Sequence, residues 1–148
     1  MNKKGFTLVE LLAVIAILAI LVIIALPNVL QMFNDSKKNS FMTEVRDIYK
    51  QAQTQFIADN LANPGPRTYA SASLNCSGIE ALDLQGRSIN YLVQLDSTGK
   101  VTSIAVSDGS YFYTPTTAPA DAANITADAI ATSGTAPACP SSSTTTTP

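Results

Sequence analysis

Between Phe6 and Phe33 the chain carries one charged side chain, the carboxylate of Glu10, and every residue from Leu11 to Leu26 is apolar. Taking a charged group into a membrane-spanning stretch costs at least a few kcal/mol, so such a residue normally marks function and has a partner. Glu10 has no counter-charge within the run itself. Upstream stand Lys3, Lys4 and Gly5, and Phe6 begins the apolar stretch. The other residues with distinctive chemistry are Cys76 and Cys139, the only two cysteines.

Composition narrows the chemistry further. Histidine is absent, which removes the commonest general base and metal ligand. The chain has no Gly-rich phosphate loop, no HExxH pattern and no Cys-Cys-His cluster, so neither an enzyme nor a cofactor or metal site is expected. Asp96 and Asp108 lack an EF-hand spacing and read as turn formers rather than calcium ligands. The formal net charge is -2, and nine basic residues face eleven acidic ones. With a pI near 4.8, no specific nucleic-acid binding is inferred.

The apolar run admits three readings. From Phe6 to Leu30 it makes a helix of roughly 37 Å, long enough to cross a hydrocarbon core of ~30 Å. A cleaved secretory signal fits poorly, because the run ends Ile23-Ile24-Ala25-Leu26-Pro27 without a small-x-small site and contains an acid. A plain single-span anchor leaves Glu10 unexplained. The third reading rests on Gly5-Phe6-Thr7-Leu8-Val9-Glu10-Leu11-Leu12, which resembles the N-terminal processing motif, the class III signal, of type IV pilins and their relatives.

That resemblance implies a set of roles. A membrane-bound prepilin peptidase cuts between Gly5 and Phe6 and methylates the amine of Phe6, so Met1 to Gly5 is a leader. Glu10 of an incoming subunit meets the terminal amine of a subunit already in a filament, which makes it the assembly and register determinant. The implied partners are identical subunits in a helical homopolymer, the peptidase, an inner-membrane assembly platform with an external motor ATPase, and membrane lipid before assembly. The implied location is the cytoplasmic membrane as a single-pass precursor with its head outside, then the cell surface as a pilus. Losing Lys3 and Lys4 with the leader takes the side-chain charge to about -4. The alternatives are a pseudopilin of a type II secretion or DNA-uptake system, or a membrane-tethered binding module that never polymerises. Snorkelling of Glu10 toward the headgroups is the plain alternative to pairing.

The elements that position these residues are legible in outline. Pro27 sits where the helical pattern continues, so it kinks or locally opens the helix without ending it. Many pilins have a glycine earlier in the span, where this chain has Ala19. Phe41, Val45, Ile48, Ala52 and Phe56 fall at helical spacing between polar residues, giving a stripe that packs against something. Asn60 to Pro66 then stops a helix that, counted from Phe6, is of the order of 85 Å. Period-two patterning predicts strands over 88–95, 100–107 and 110–114, joined by the hairpin loop Asp96-Ser97-Thr98-Gly99 and by a tight type I′ turn at Asp108-Gly109.

The expected fold is α+β: a long N-terminal helix spine packed on a small antiparallel three-stranded meander. The segments are a leader (1–5), an apolar helix (6–33), its amphipathic continuation (34–62), a β-sheet head (63–139) and a Ser/Thr-rich disordered tail (140–148). With the head outside the cytoplasm, Cys76 and Cys139 form one disulfide, the alternative being two buried thiols. The bridge ties down the otherwise loose stretch from Thr114 to Ala138. Tyr69, Tyr91, Tyr111 and Tyr113 read as cross-strand packing rather than as a binding surface.

Overall fold

The computed structural model describes residues 5–85 and 87–140. Most of the expected leader, before Gly5, and the expected tail after Pro140 lie outside the described residues. The chain divides into two compact units, Met1–Lys37 and Lys38–Pro148. One α-helix, α1 (Leu8–Ala62), contributes to both and runs through Pro27 without ending.

In the first unit every described residue of α1 is exposed. Its best 18-residue window has a mean hydropathy of 3.2 and none of that window is buried, which makes it apolar enough to cross a membrane.

In the second unit α1 buries Phe41, Val45, Ile48, Tyr49, Ala52 and Phe56. The spacing of three, four and seven keeps these side chains on one face, and Tyr49 widens the stripe beyond the five positions expected from sequence. The helix stops where Pro64 and Pro66 remove amide donors. Its last carbonyls are then satisfied by a side chain. Arg67 Nη2 donates to Asp59 O at 3.2 Å and to Asn63 O at 2.8 Å.

The sheet is antiparallel with four strands in order β1 (Arg67–Ala70), β2 (Asn90–Leu95), β3 (Val101–Ser107) and β4 (Phe112–Tyr113). The fold class is α+β, as the sequence predicts, but the expected three-stranded meander gains a strand in front. β1 pairs with β2 in the register Arg67↔Leu95 to Ala70↔Leu92. The three expected strands each begin later than predicted, and the last also ends one residue early. Between β2 and β3 the register shifts at Gln94/Leu95, so Thr102 is the extra residue. That bulge lets Thr102 and Ser103 both face solvent while Val101 and Ile104 stay buried, which strict alternation forbids.

Two turns are held by carboxylates. Asp96 Oδ1 accepts the amides of Thr98 at 2.8 Å and Lys100 at 3.1 Å, and Gly99 supplies the positive φ of +84°. Asp108 Oδ1 accepts the amides of Ser110 and Tyr111, both at 2.7 Å. The second turn is therefore not the expected type I′. Ser107 pairs with Phe112, leaving a four-residue loop in which Gly109 has the positive φ and Asp108 does not. Both aspartates act as turn formers through these bonds.

One core joins the helical stripe to Tyr69, Tyr91, Val93, Leu95, Val101, Ile104, Val106 and Tyr113. Tyr69 lies opposite Val93, and Val106 opposite Tyr91 on one side and Tyr113 on the other, so three of the four tyrosines do pack across strands. Tyr111 is half-buried and rests on Phe41 with ring centres 5.8 Å apart. The stretch after Thr114 is not loose. Ala122, Ile125 and Ile130 join the core, Arg46 Nη2 donates to Ile125 O at 2.6 Å, and Tyr49 donates to Pro119 O at 3.1 Å. The sheet edges are also occupied: Glu80 bridges to Tyr69 and Ala131 to Phe112, which blunts the unpaired rims.

Candidate functional site

The candidate site is the start of α1. Gly5, Phe6 and Thr7 precede the helix in irregular, exposed backbone, and Phe6 is 81 % exposed. A peptide bond outside regular structure is open to a peptidase in a way that a helical bond is not.

Thr7 caps the helix and Glu10 answers it. Thr7 N donates to Glu10 Oε2 at 2.9 Å, and Thr7 Oγ1 donates to the same oxygen at 2.8 Å. In return the Glu10 amide donates to Thr7 Oγ1 at 3.3 Å. This is a capping box, Thr-x-x-Glu, which satisfies two of the amides that a helix start leaves without partners. The carboxylate also sits where the helix dipole favours negative charge. Within the chain Glu10 is thus tied to Thr7 through one oxygen, and no described residue engages Oε1. Sequence reasoning had not singled out Thr7, although its spacing from Glu10 is the signature.

The remaining candidate residues lie elsewhere. Pro27 is inside α1, where its missing N–H leaves the carbonyl of Ile23 without its usual helical donor. Cys76 and Cys139 are joined in a disulfide with Cα atoms 5.4 Å apart, 63 residues apart in sequence. It fixes the end of the described chain to the loop after the short 3-10 helix Ala72–Leu74. A cavity of about 340 Å³ lies near that loop, lined by Ser71, Ser73, Leu82, Asp83, Arg87 and Tyr91 among others. Its polar wall is largely consumed internally: Ser71 Oγ accepts the Tyr91 amide at 3.3 Å, and Tyr91 Oη accepts the Leu82 amide at 2.7 Å. Among the described residues no cluster of three or more His, Cys, Asp or Glu side chains is placed to hold a metal.

Residues 1–26 match the family described as the prokaryotic N-terminal methylation motif. Neither the curated proteins nor the solved structures give a significant match. The matched family is a structural signal and not an enzyme family. It covers Gly5, Phe6, Thr7 and Glu10, the residues of the capped helix start, together with most of the exposed apolar run. Residues 1–26 thus carry the class III signal found in type IV pilins, at the start of a long N-terminal helix.

Proposed function

We propose that this chain is the structural subunit of an extracellular filament of the type IV pilus kind. In this reading prepilin peptidase removes Met1 to Gly5, the new amine on Phe6 is methylated, and subunits polymerise through the apolar part of α1. The observation that carries the reading is the single carboxylate of Glu10 in an apolar run that buries nothing within its own chain.

The chemistry follows from that carboxylate. Cutting the Gly5–Phe6 bond creates an α-ammonium four residues before Glu10. In a bundle of apolar helices, removing one partner of a charge pair strands the other at a cost of about 3–5 kcal/mol. Each incoming Glu10 therefore docks on the Phe6 amine of a subunit already in place, and only one axial register satisfies both charges. Thr7 is a positioning residue: by holding Oε2 it orients the carboxylate and leaves Oε1 for the amine. The precursor waits in the cytoplasmic membrane with its head outside, until an assembly platform driven by an external ATPase extracts it.

The motif is shared by pseudopilins of type II secretion and DNA-uptake systems, so the same docking chemistry serves either filament. The disulfide and the Ser/Thr-rich tail favour the surface-displayed pilus. A structural role, rather than a catalytic one, fits a chain without histidine. Electron microscopy with antibody to the head tests the proposal. Labelled surface filaments, lost in Glu10→Ala cells that still make the protein, are expected. Normal filament yield and spacing in Glu10→Ala would overturn the docking role, and a membrane-held protein with no filaments would favour the tethered binding module.

A further inference from the structure

The turn that follows the apolar run holds a charged feature that docking does not use. Phe33 is the last large apolar residue of the run, and Lys37 follows four residues later on the same helical face. Lys37 Nζ lies 4.7 Å from the centre of the Phe33 ring, within cation–π range. Both side chains are exposed. Asp35 is the only acid between Glu10 and Glu44, and it projects roughly 200° around the helix from Lys37. The one salt bridge among the described residues joins Arg87 to Asp47 and does not involve Lys37.

Distance along the helix gives this cation an address. Glu10 and Lys37 are about 40 Å apart at 1.5 Å per residue. A bilayer is ~30 Å thick across its hydrocarbon and ~40–45 Å with its headgroups. When Glu10 lies in one headgroup layer, Lys37 reaches the other, and Phe33 lies about one turn deeper, at the edge of the hydrocarbon. At this depth a lysine lays its stem along apolar surface and keeps its charged head in the polar layer, while the purely apolar Phe33 ring stays at the hydrocarbon edge. The ring steadies the Lys37 ammonium from one side, and its three N–H donors can still reach oxygens in the headgroup layer on the other.

We infer that Phe33 and Lys37 form a site for the phosphate of an anionic phospholipid headgroup, in the leaflet opposite the one nearest Glu10. Occupancy of this site fixes the depth of the precursor before assembly, which lets Glu10 rest at the other interface. The inference rests on the proposed membrane-spanning role of the N-terminal part of α1. Lys38, half-buried and turned by about 100°, is not part of the site.

The test uses the full chain reconstituted in phosphatidylcholine vesicles that contain a minor fraction of phosphatidylglycerol. Native mass spectrometry after gentle solubilisation counts the lipids retained. Phosphatidylglycerol is expected to be enriched, and Lys37→Gln to lower the enrichment about fivefold. Lys37→Arg should keep it, and raised salt should weaken it. The inference is overturned if Lys37→Gln leaves the enrichment intact, if Lys38→Gln lowers it as much, or if Lys37→Arg loses it too. Retention of inorganic phosphate by the chain in pure phosphatidylcholine would also overturn it, by revealing a free-anion site. An alkaline carbonate wash of the same vesicles separates the two readings. A chain that washes off refutes the membrane-spanning role along with the site. A chain that stays without a Lys37-dependent enrichment refutes the site alone.

Discussion

The two parts of α1 obey opposite rules. As far as Lys37 no described residue of the helix is buried, although this is its most apolar stretch; between Phe41 and Phe56 six residues are buried, although polar residues alternate with them. The downstream part finds its partner inside the chain, in the buried face of the sheet. The described residues of the upstream part are all exposed, and exposed apolar surface on this scale marks an interaction with a membrane or with other molecules. One element therefore serves two solvents, and the change from continuous to periodic hydrophobicity marks where one gives way to the other.

Breaking the head without touching the apolar part is the sharpest way to test this contrast. Replacing Cys76 and Cys139 together by serine opens a 63-residue separation, which the chain-entropy model values at about 4 kcal/mol. Urea denaturation of the full chain in vesicles, read by tyrosine fluorescence, should show that loss while membrane retention stays unchanged. Next in size is a matched pair of truncations. Ile48→Ala empties a fully buried position and should cost about 3 kcal/mol of head stability. Leu18→Ala, at an exposed position of the apolar run, should leave head stability within about 0.5 kcal/mol. Equal losses in the two variants would erase the distinction between the regions.

The mildest effect is one of pH. Burial raises the pKa of Tyr49, Tyr91 and Tyr113, and burial together with a 2.7 Å hydrogen bond to Asp59 raises that of Tyr69. A phenol whose folded pKa lies above its unfolded value near 10 stabilises the fold fully below that pH, and the contribution is lost as pH rises through the folded value. The head should therefore soften progressively above about pH 10. The first unit contains no tyrosine and should show no matching transition in membrane retention.

The processing motif, the helical stripe and the hairpin at Asp96 were legible because each is a local pattern with a fixed period or spacing. β1 was not. Its four residues are too few to display a period, and Arg67 owes its place to the helix end that it caps. The bulge at Thr102 was hidden because period two cannot represent an inserted residue. Asp108-Gly109 looked like a two-residue turn, but the Asp108 carboxylate gathers two amides and so stretches the loop to four. Arg46 tethers Ile125 from far along the chain, and no local pattern announces that bond or the place of Ile130 in the core. At the candidate site, Glu10 stood out by charge alone. Its bonds to Thr7 give it a second role, in starting the helix, so the same carboxylate caps its own chain and is proposed to join another.

The central claim is that Glu10 is made tolerable in a filament by an amine that exists only after the Gly5–Phe6 bond is cut. The intact mass of the chain, taken from the fraction in which it accumulates at the cell surface, tests that claim most directly. The account predicts a chain that begins at Phe6, carries one N-terminal methyl group and lacks Met1 to Gly5. A chain that still carries its leader, or that begins at any residue other than Phe6, would contradict it.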